Sequence, residues 1–362
     1  MEGINILTIK VPLKDANKVK TILIREENLD GNYKTLKERL FVYFPIKTSF
    51  KTKYVITNKE LETLEHLPHS LKDALKTILT KDEMEKVKTA YDCIGDIAIL
   101  EIDRELRKKE KVIANTLLRV RRDIKTVVRK EGSHEGTFRV QKMKYLAGEN
   151  KKETIHKENN IRLMLDIEKV YFSPRLSLER MRIAELVNNS KSRKSKNKKS
   201  VNKEDILVMF SGCAPYCCVI AKNAKNKVNS IIGIEINPEG HKYGLENIKL
   251  NKLDNVCNIN LINGDVKKEI PKLAKTNATF DRILMPLPKH AEDFLPEALA
   301  VSKKGTIIHF YDFLHEEKFN EAVEKIKKAC EKAKKNCKIL EIVKCGQHSP
   351  RTFRICVDFR VE

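Results

Sequence analysis

From residue 205 onward the apolar residues fall into short runs separated by amphipathic stretches. "ILVMF" (206–210), "SIIGIEI" (230–236), "VCNINLI" (256–262), "RILM" (282–285) and "GTIIHFYDF" (305–313) read as strands. Helical period is carried by the stretch opening at Pro215, by "PEGHKYGLENIKLN", by "AEDFLPEALAVS" and by residues 315–335. This alternation predicts parallel βαβ units in a doubly wound, mostly parallel sheet. The last two runs, "CKILEIVKC" and "TFRICVDFRV", have no helix between them, which predicts an antiparallel edge.

Upstream the pattern differs. In residues 1–68, "INILTIKVPL" alternates as a strand, "DANKVKTILIREE" has helical period and "RLFVYFPI" is again strand-like, so a small α/β module is expected there. Residues 69–168 read as a middle α+β domain. It holds an apolar strand pair in "IGDIAILEI", a long helix over residues 103–131, and strands in "TFRVQKMKYLAG" and "IRLMLDIEKVYF". Residues 169–362 form the third domain, interrupted at 188–204 by "NNSKSRKSKNKKSVNKE", which is polar, cationic and without apolar period. Such an insertion is expected to be flexible, and its lysines can be solvated or touch a polyanion.

Composition narrows the class. There are 72 Lys and Arg against 50 Asp and Glu, a formal charge of +22. A chain of 362 residues with 41% hydrophobic content can bury real cores. The charge excess reads as a nucleic-acid partner, the bland alternative being a lysine-rich proteome. With no tryptophan and 6% aromatics, a broad stacking platform is not the obvious binding mode. No apolar run is long enough to span a membrane and the first residues do not form a secretory signal. The nine cysteines are scattered without a CxxC pair, which argues against a zinc ribbon or a disulfide framework and for a reducing cytoplasm. No metal is required, and a monomer is expected.

Doubly wound sheets bind ligands beyond the carboxyl ends of their strands. In "MFSGCAPY" a single glycine, Gly212, follows the first strand and Pro215 opens a helix. One glycine instead of GxGxxG disfavours a pyrophosphate cradle, and so NAD or FAD, but suits a cofactor without phosphates. Glu235 ends the second strand 23 residues later, the usual place for an acid that holds ribose hydroxyls. Asn237 and Pro238 start the next helix, and Asp265 in "INGDV" can accept from an adenine amino group. Together with the antiparallel edge, this order fits an S-adenosyl-L-methionine (AdoMet)-dependent methyltransferase sheet better than a dehydrogenase one. In "FDRILMPLPKHAEDFL" the fourth strand runs into Pro286-Leu287-Pro288, a stiff turn placed where the methyl acceptor belongs.

The blocks "VYFSPRLSLERMRIAELV", "MFSGCAPY", "IEINPEGHKYGLENIKLNKL", "NGDVKKEI", "MPLPKHAEDFLPEAL" and "IIHFYDF" together resemble the archaeal and eukaryotic tRNA (guanine(37)-N1)-methyltransferases. The resemblance covers residues 130–362, with the first domain similar in size and position. It implies AdoMet as methyl donor, tRNA with guanine at position 37 as partner, and an N-terminal module that reads the outer corner of the tRNA. It also implies Glu179 as general base, Arg139 at the guanine O6 and Tyr171 against the cofactor. Gly212, Cys213, Glu235, Asn237, Asp265, Leu287 and Pro288 fall at cofactor-binding positions. Three departures are visible: Pro286 stands where the family turn carries Asn, the "SGCAPY" loop is less glycine-rich, and the lysine-rich insertion is extra. Some archaeal relatives also methylate the tricyclic wyosine precursor, which a changed turn could admit.

Guanine N1 is protonated at neutral pH. Methylation therefore needs a base at N1, a cation at O6 and a base swung out to meet the sulfonium. Glu179 and Arg139 supply the first two. Without the resemblance, Glu179 reads as a helix first-turn acid behind a Ser177 cap, and Arg139 as a solvated cation. Arg175 and Arg180 read as structural or phosphate-facing. Cys213, Cys217 and Cys218 raise the rival of a cysteine nucleophile, with burial as small apolar residues on the other side. His241, His290 and His309 lack metal-ligand spacing. A catalytically weak tRNA-binding protein, and an amino-group methyltransferase acting on protein or DNA, remain the rival functions.

Overall fold

The structure, a computed structural model, describes residues 4–63, 70–190, 203–287 and 289–362, without the side chains of 133–135. The greater part of the lysine-rich insertion, 191–202, and Pro288 lie outside the described residues. The chain forms two compact units, Met1–Ile78 and Leu79–Glu362.

In the first unit, β1 (Ile4–Pro12) leads to α1 (Ala16–Arg25), then β2 (Leu36–Glu38), β3 (Phe41–Pro45), β4 (Val55–Leu61) and α2 (Leu71–Leu75). The strands make an antiparallel sheet in the order β2-β3-β1-β4. Val19 and Leu23, one turn apart on α1, pack on Ile9, Val11, Val42, Phe44 and Ile46.

The second unit opens with α3 (Lys81–Lys86), whose Thr80 and Glu83 form a capping box. β5 (Asp92–Ile94), β6 (Ile97–Leu100), α4 (Glu110–Val120), β7 (Thr126–Glu135) and β8 (Val140–Gly148) follow, the strands in sequential order in one sheet. The long helix expected over 103–131 is thus corrected: it ends at Val120, and Thr126–Glu135 is a strand. Thr126, Val127 and Val128 are β-branched and pair on both sides, parallel to β6 and antiparallel to β8, which outweighs a helical pattern without a stop signal. β9 (Glu153–Glu158) and β10 (Ile161–Asp166) form a hairpin, and α5 (Ser177–Asn188) comes after a 3₁₀ turn at Pro174–Leu176. That turn, not a Ser177 cap, starts α5: no side chain caps the helix.

The remaining elements are β11 (Glu204–Met209), α6 (Pro215–Asn223), β12 (Val228–Glu235), α7 (Pro238–Leu250), β13 (Asn258–Asn263), α8 (Val266–Lys275), β14 (Phe280–Met285), α9 (Leu295–Ala300), β15 (Ser302–His315), α10 (Phe319–Lys332), β16 (Cys337–Ser349) and β17 (Thr352–Val361). Their sheet runs β13-β12-β11-β14-β15-β17-β16, parallel through β15 and antiparallel at β17 and β16. This is the doubly wound sheet with an antiparallel edge expected from the pattern. α8 was not foreseen, since Pro271 and four lysines interrupt its period; its core contacts are Val266 and Ile270.

Alternate residues of β11 serve the two faces of the sheet. Ile206 and Val208 join a cluster with α5, α6 and α7, while Leu207 and Met209 join one with α8, α9 and α10. The first cluster also contains Ile97, Val128 and Met143, so the β5–β8 sheet and the doubly wound sheet share a continuous core.

Candidate active site

The site grows from the loop after β11. Phe210, Gly212 and Ala214 all have positive φ, and the bends they make turn the chain sharply into α6. The Gly212 amide donates to Glu235 Oε2 at 2.6 Å, and the Asn237 amide donates to Oε1 at 2.8 Å. Glu235 is therefore fixed at the carboxyl end of β12 by backbone donors on two loops. Burial raises its carboxyl pKa, with those donors opposing. A Cβ on Gly240 would come 3.2 Å from Glu235 Cγ, so a glycine here lets α7 approach the carboxylate.

Asn237 caps α7 by accepting from the Glu239 amide at 3.0 Å, and its Nδ2 donates to the Lys169 carbonyl at 2.7 Å. Its side chain thereby ties the segment before Tyr171 to the helix. A slot of about 120 Å³ lies over this loop, lined by Tyr171, Gly212, Glu235, Asn237, Leu287 and Arg139 among others. These six were all expected in the site. Phe138 and Ile236 also line it, and both are large apolar residues left exposed, 42% and 38%. Neither was singled out in the sequence, although Phe138 adjoins Arg139 and Ile236 adjoins Glu235.

Three expected residues lie elsewhere. The Cys213 thiol is packed in the core and does not line the slot; burial pushes its pKa up to about 12, and Cys217 likewise to about 12. Cys218 is also buried with its pKa raised, so none of the three offers a thiolate nucleophile. Asp265 caps α8 through the Lys267 amide, 2.9 Å, and is absent from the slot lining. Glu179 is 4% exposed and is absent from the slot lining.

Glu179 is one member of a buried polar chain. Arg182, one turn along α5, donates to both its oxygens at 2.7 and 2.8 Å, and the Tyr311 hydroxyl donates to Oε1 at 2.5 Å. The Tyr216 hydroxyl donates to Tyr311 at 3.1 Å, and Tyr216 lines the slot. On the far side Arg182 also reaches Asp358, at 2.7 Å, and Asp358 lies 2.6 Å from His309 Nδ1. Arg282 Nη1 is 2.8 Å from His309 Nε2. Because arginine can only donate, Nε2 must accept, and the ring proton sits on Nδ1 facing Asp358. His309, Cys356 and Asp358 are close enough together to suggest a cation site, but two guanidiniums already occupy their polar atoms.

The stiff turn after β14 closes the site. The Leu287 amide donates back to the Met285 carbonyl at 2.7 Å, a tight turn about Pro286. Arg139, at positive φ between β7 and β8, donates to the Lys289 carbonyl at 3.0 Å. Arg180 is held by Glu158 at 2.5 and 2.6 Å, and Arg175 by Asp92 at 2.8 Å. Beyond the turn a second cavity of about 860 Å³ shares Arg139, Tyr171 and Phe172 with the slot and is rimmed by Arg104, Arg107 and Lys289.

A glycine turn after the first strand, an acid after the second and this strand order define the class: a doubly wound methyltransferase. A family model described as the TRM5/TYW2 methyltransferase domain matches residues 154–340, and the chain belongs to that family. Models described as the TYW2 N-terminal domain and the tRNA methyltransferase 5 N-terminal domain match 71–151 and 8–54. The tRNA (guanine(37)-N(1))-methyltransferase Trm5b of Pyrococcus abyssi is 35% identical over 356 residues, 98% of this chain and 99% of its own. The tRNA (guanine(37)-N(1))/4-demethylwyosine(37)-methyltransferase Taw22 of Nanoarchaeum equitans is 34% identical over 282 residues, 66% and 88% of the two chains. A solved complex of aTrm5 with tRNALeu aligns at 31% identity and a TM-score of 0.76, covering 98% of this chain and 100% of the other.

Proposed function

We propose that this chain transfers a methyl group from AdoMet to N1 of guanine 37 in tRNA. The observation that carries the reading is the adjacency of a slot built on Gly212 and Glu235 to a large cationic cavity that shares Arg139 and Tyr171 with it. The slot suits an adenosyl group: Glu235 offers acceptors for ribose hydroxyls, while Phe138, Ile236 and Leu287 offer apolar surface. AdoMet, when bound, supplies an electrophilic methyl group. Gly212, Glu235 and Tyr171 hold the donor, and the Pro286–Leu287 turn walls the acceptor. In this reading Arg139, which lines both the slot and the cavity, bonds the charge developing on O6. Glu179 is the final acceptor of the N1 proton, with the Tyr311 and Tyr216 hydroxyls forming a donor line from the slot to it. Residues 1–68 are assigned to tRNA reading, 69–168 to RNA binding, and 169–362 to methyl transfer.

The 4-demethylwyosine base is the second substrate to consider. Pro286 and Leu287 bring only apolar side chains to the slot, and a wall without a directed polar side chain accepts a larger tricyclic base. The test is tritiated methyl transfer to unmodified tRNA transcripts with guanine or adenine at 37, followed by nucleoside mapping. Label as 1-methylguanosine with guanine alone is expected. Tight tRNA binding with no transfer would sink the reading in favour of a binding protein, and transfer only to a demethylwyosine tRNA would make the second substrate the first.

A further inference from the structure

The larger cavity contains a cluster that methyl transfer itself leaves unused. Phe313 near the end of β15 stacks on His348 of β16, ring centroids 4.4 Å apart and planes at 33°. Arg354 of β17 places its guanidinium 4.9 Å from the Phe313 centroid and donates to the Tyr171 hydroxyl at 3.1 Å. All four side chains line the cavity, and Tyr171 lines the cofactor slot as well. His348 is exposed, so the stack ends in a ring open to the cavity.

Its charge leans positive. Partial burial lowers the His348 pKa, and Lys289, Arg354 and Arg175 lower it further; Arg175 is paired with Asp92, while Lys289 and Arg354 have no ion pair among the described residues. The Arg354 Nε is buried without a hydrogen-bond partner. Two cations without a carboxylate partner gain when an anion joins them, and an unfinished aromatic stack gains by another flat ring. Single-stranded nucleic acid brings both, a phosphodiester for the cations and a base for the stack.

We propose that the Phe313–His348 pair is a stacking platform for an unpaired nucleotide beside the target guanosine, whose phosphodiester lies on Arg354 and Lys289. The inference rests on the tRNA reading above and adds a second, non-reacting base site to it. Swinging the target base out of its loop breaks stacking with its neighbours. A ring that takes up one neighbour offsets part of that cost and fixes the register of the flipped base.

The test uses the full chain and tRNA transcripts carrying 2-aminopurine at the nucleotide on either side of position 37. Wild-type protein should quench the fluorophore on one side. His348→Ala should lose that quenching and weaken tRNA binding about 10-fold, while His348→Phe keeps both, because stacking is sequence-tolerant and does not need the imidazole charge. AdoMet affinity should be equal in all three. Unchanged quenching and tRNA affinity in His348→Ala overturns the platform, as does a matching loss of AdoMet binding, which would mark a collapsed pocket. A wild type that binds and quenches without methylating would remove the proposed reaction and leave the platform standing.

Discussion

Glu179 has all its near polar partners inside the protein, so its chemistry depends on Tyr311 and Arg182 as much as on its own carboxylate. Glu179→Gln keeps the shape and removes the proton acceptor; kcat should fall by about 10²- to 10⁴-fold with AdoMet affinity unchanged in calorimetry. Tyr311→Phe removes only the hydroxyl between Glu179 and Tyr216. If protons pass along that line, kcat drops at least about tenfold with KM for tRNA unchanged; a wild-type kcat would show that Glu179 meets the base directly. Glu235→Ala should weaken AdoMet binding by roughly 10- to 100-fold, the worth of hydrogen bonds to a charged group. Gly212 and Glu235 could be located from their spacing because both sit at strand ends on the same sheet edge. Tyr311 and Asp358 could not, since the fold brings them to Glu179 from 132 and 179 positions away.

Among the elements, the run that ends β12 and begins α7 does most to shape the slot, and Asn237 is its hinge point. Asn237→Ala leaves the Glu239 amide and the Lys169 carbonyl without their partner. A loss of about 1–2 kcal/mol is expected in denaturant unfolding, together with weaker AdoMet binding as the Tyr171 segment loosens. Apart from α8, the doubly wound elements were readable because each strand is a distinct apolar run and each of the other helices has clear period. β7 was misread because nothing in "VRRDIKTVV" stops a helix; only pairing with β6 and β8 settles it. α8 was missed for the opposite reason, a proline in a helix short enough to tolerate it.

Across the molecule, two kinds of charge act differently. The surface excess of +22 should make tRNA binding steeply salt-dependent, with about a thousandfold loss between 50 and 200 mM salt if some six phosphates are neutralised. AdoMet binding should hardly move. Buried charge instead governs acid stability. Burial alone would raise the Asp358 pKa, but His309 and Arg182 outweigh it and hold the carboxyl well below the usual carboxylate range. Stability from this group is complete above about pH 4 and is lost as pH falls toward the depressed folded value. His309 is shifted down by burial, against the pull of Asp358 and with Arg282 and Arg182 assisting, so it resists protonation in the fold. It therefore costs stability once pH drops below about 6.5, where the unfolded chain takes up the proton. Asp358→Asn should destabilise the protein by about 3–5 kcal/mol at pH 7 and flatten the acid limb of its Tm profile.

β17 follows β16 in the chain yet lies inside the sheet, between β15 and β16. During synthesis, β16 can leave the ribosome before β17, its neighbour in the sheet among the described residues, has been made. The sheet cannot close, nor can Asp358 reach His309 and Arg182, until residue 361 has emerged. A nascent chain halted just short of that point would expose the edge of β15 to other chains, and chaperone demand should be greatest there.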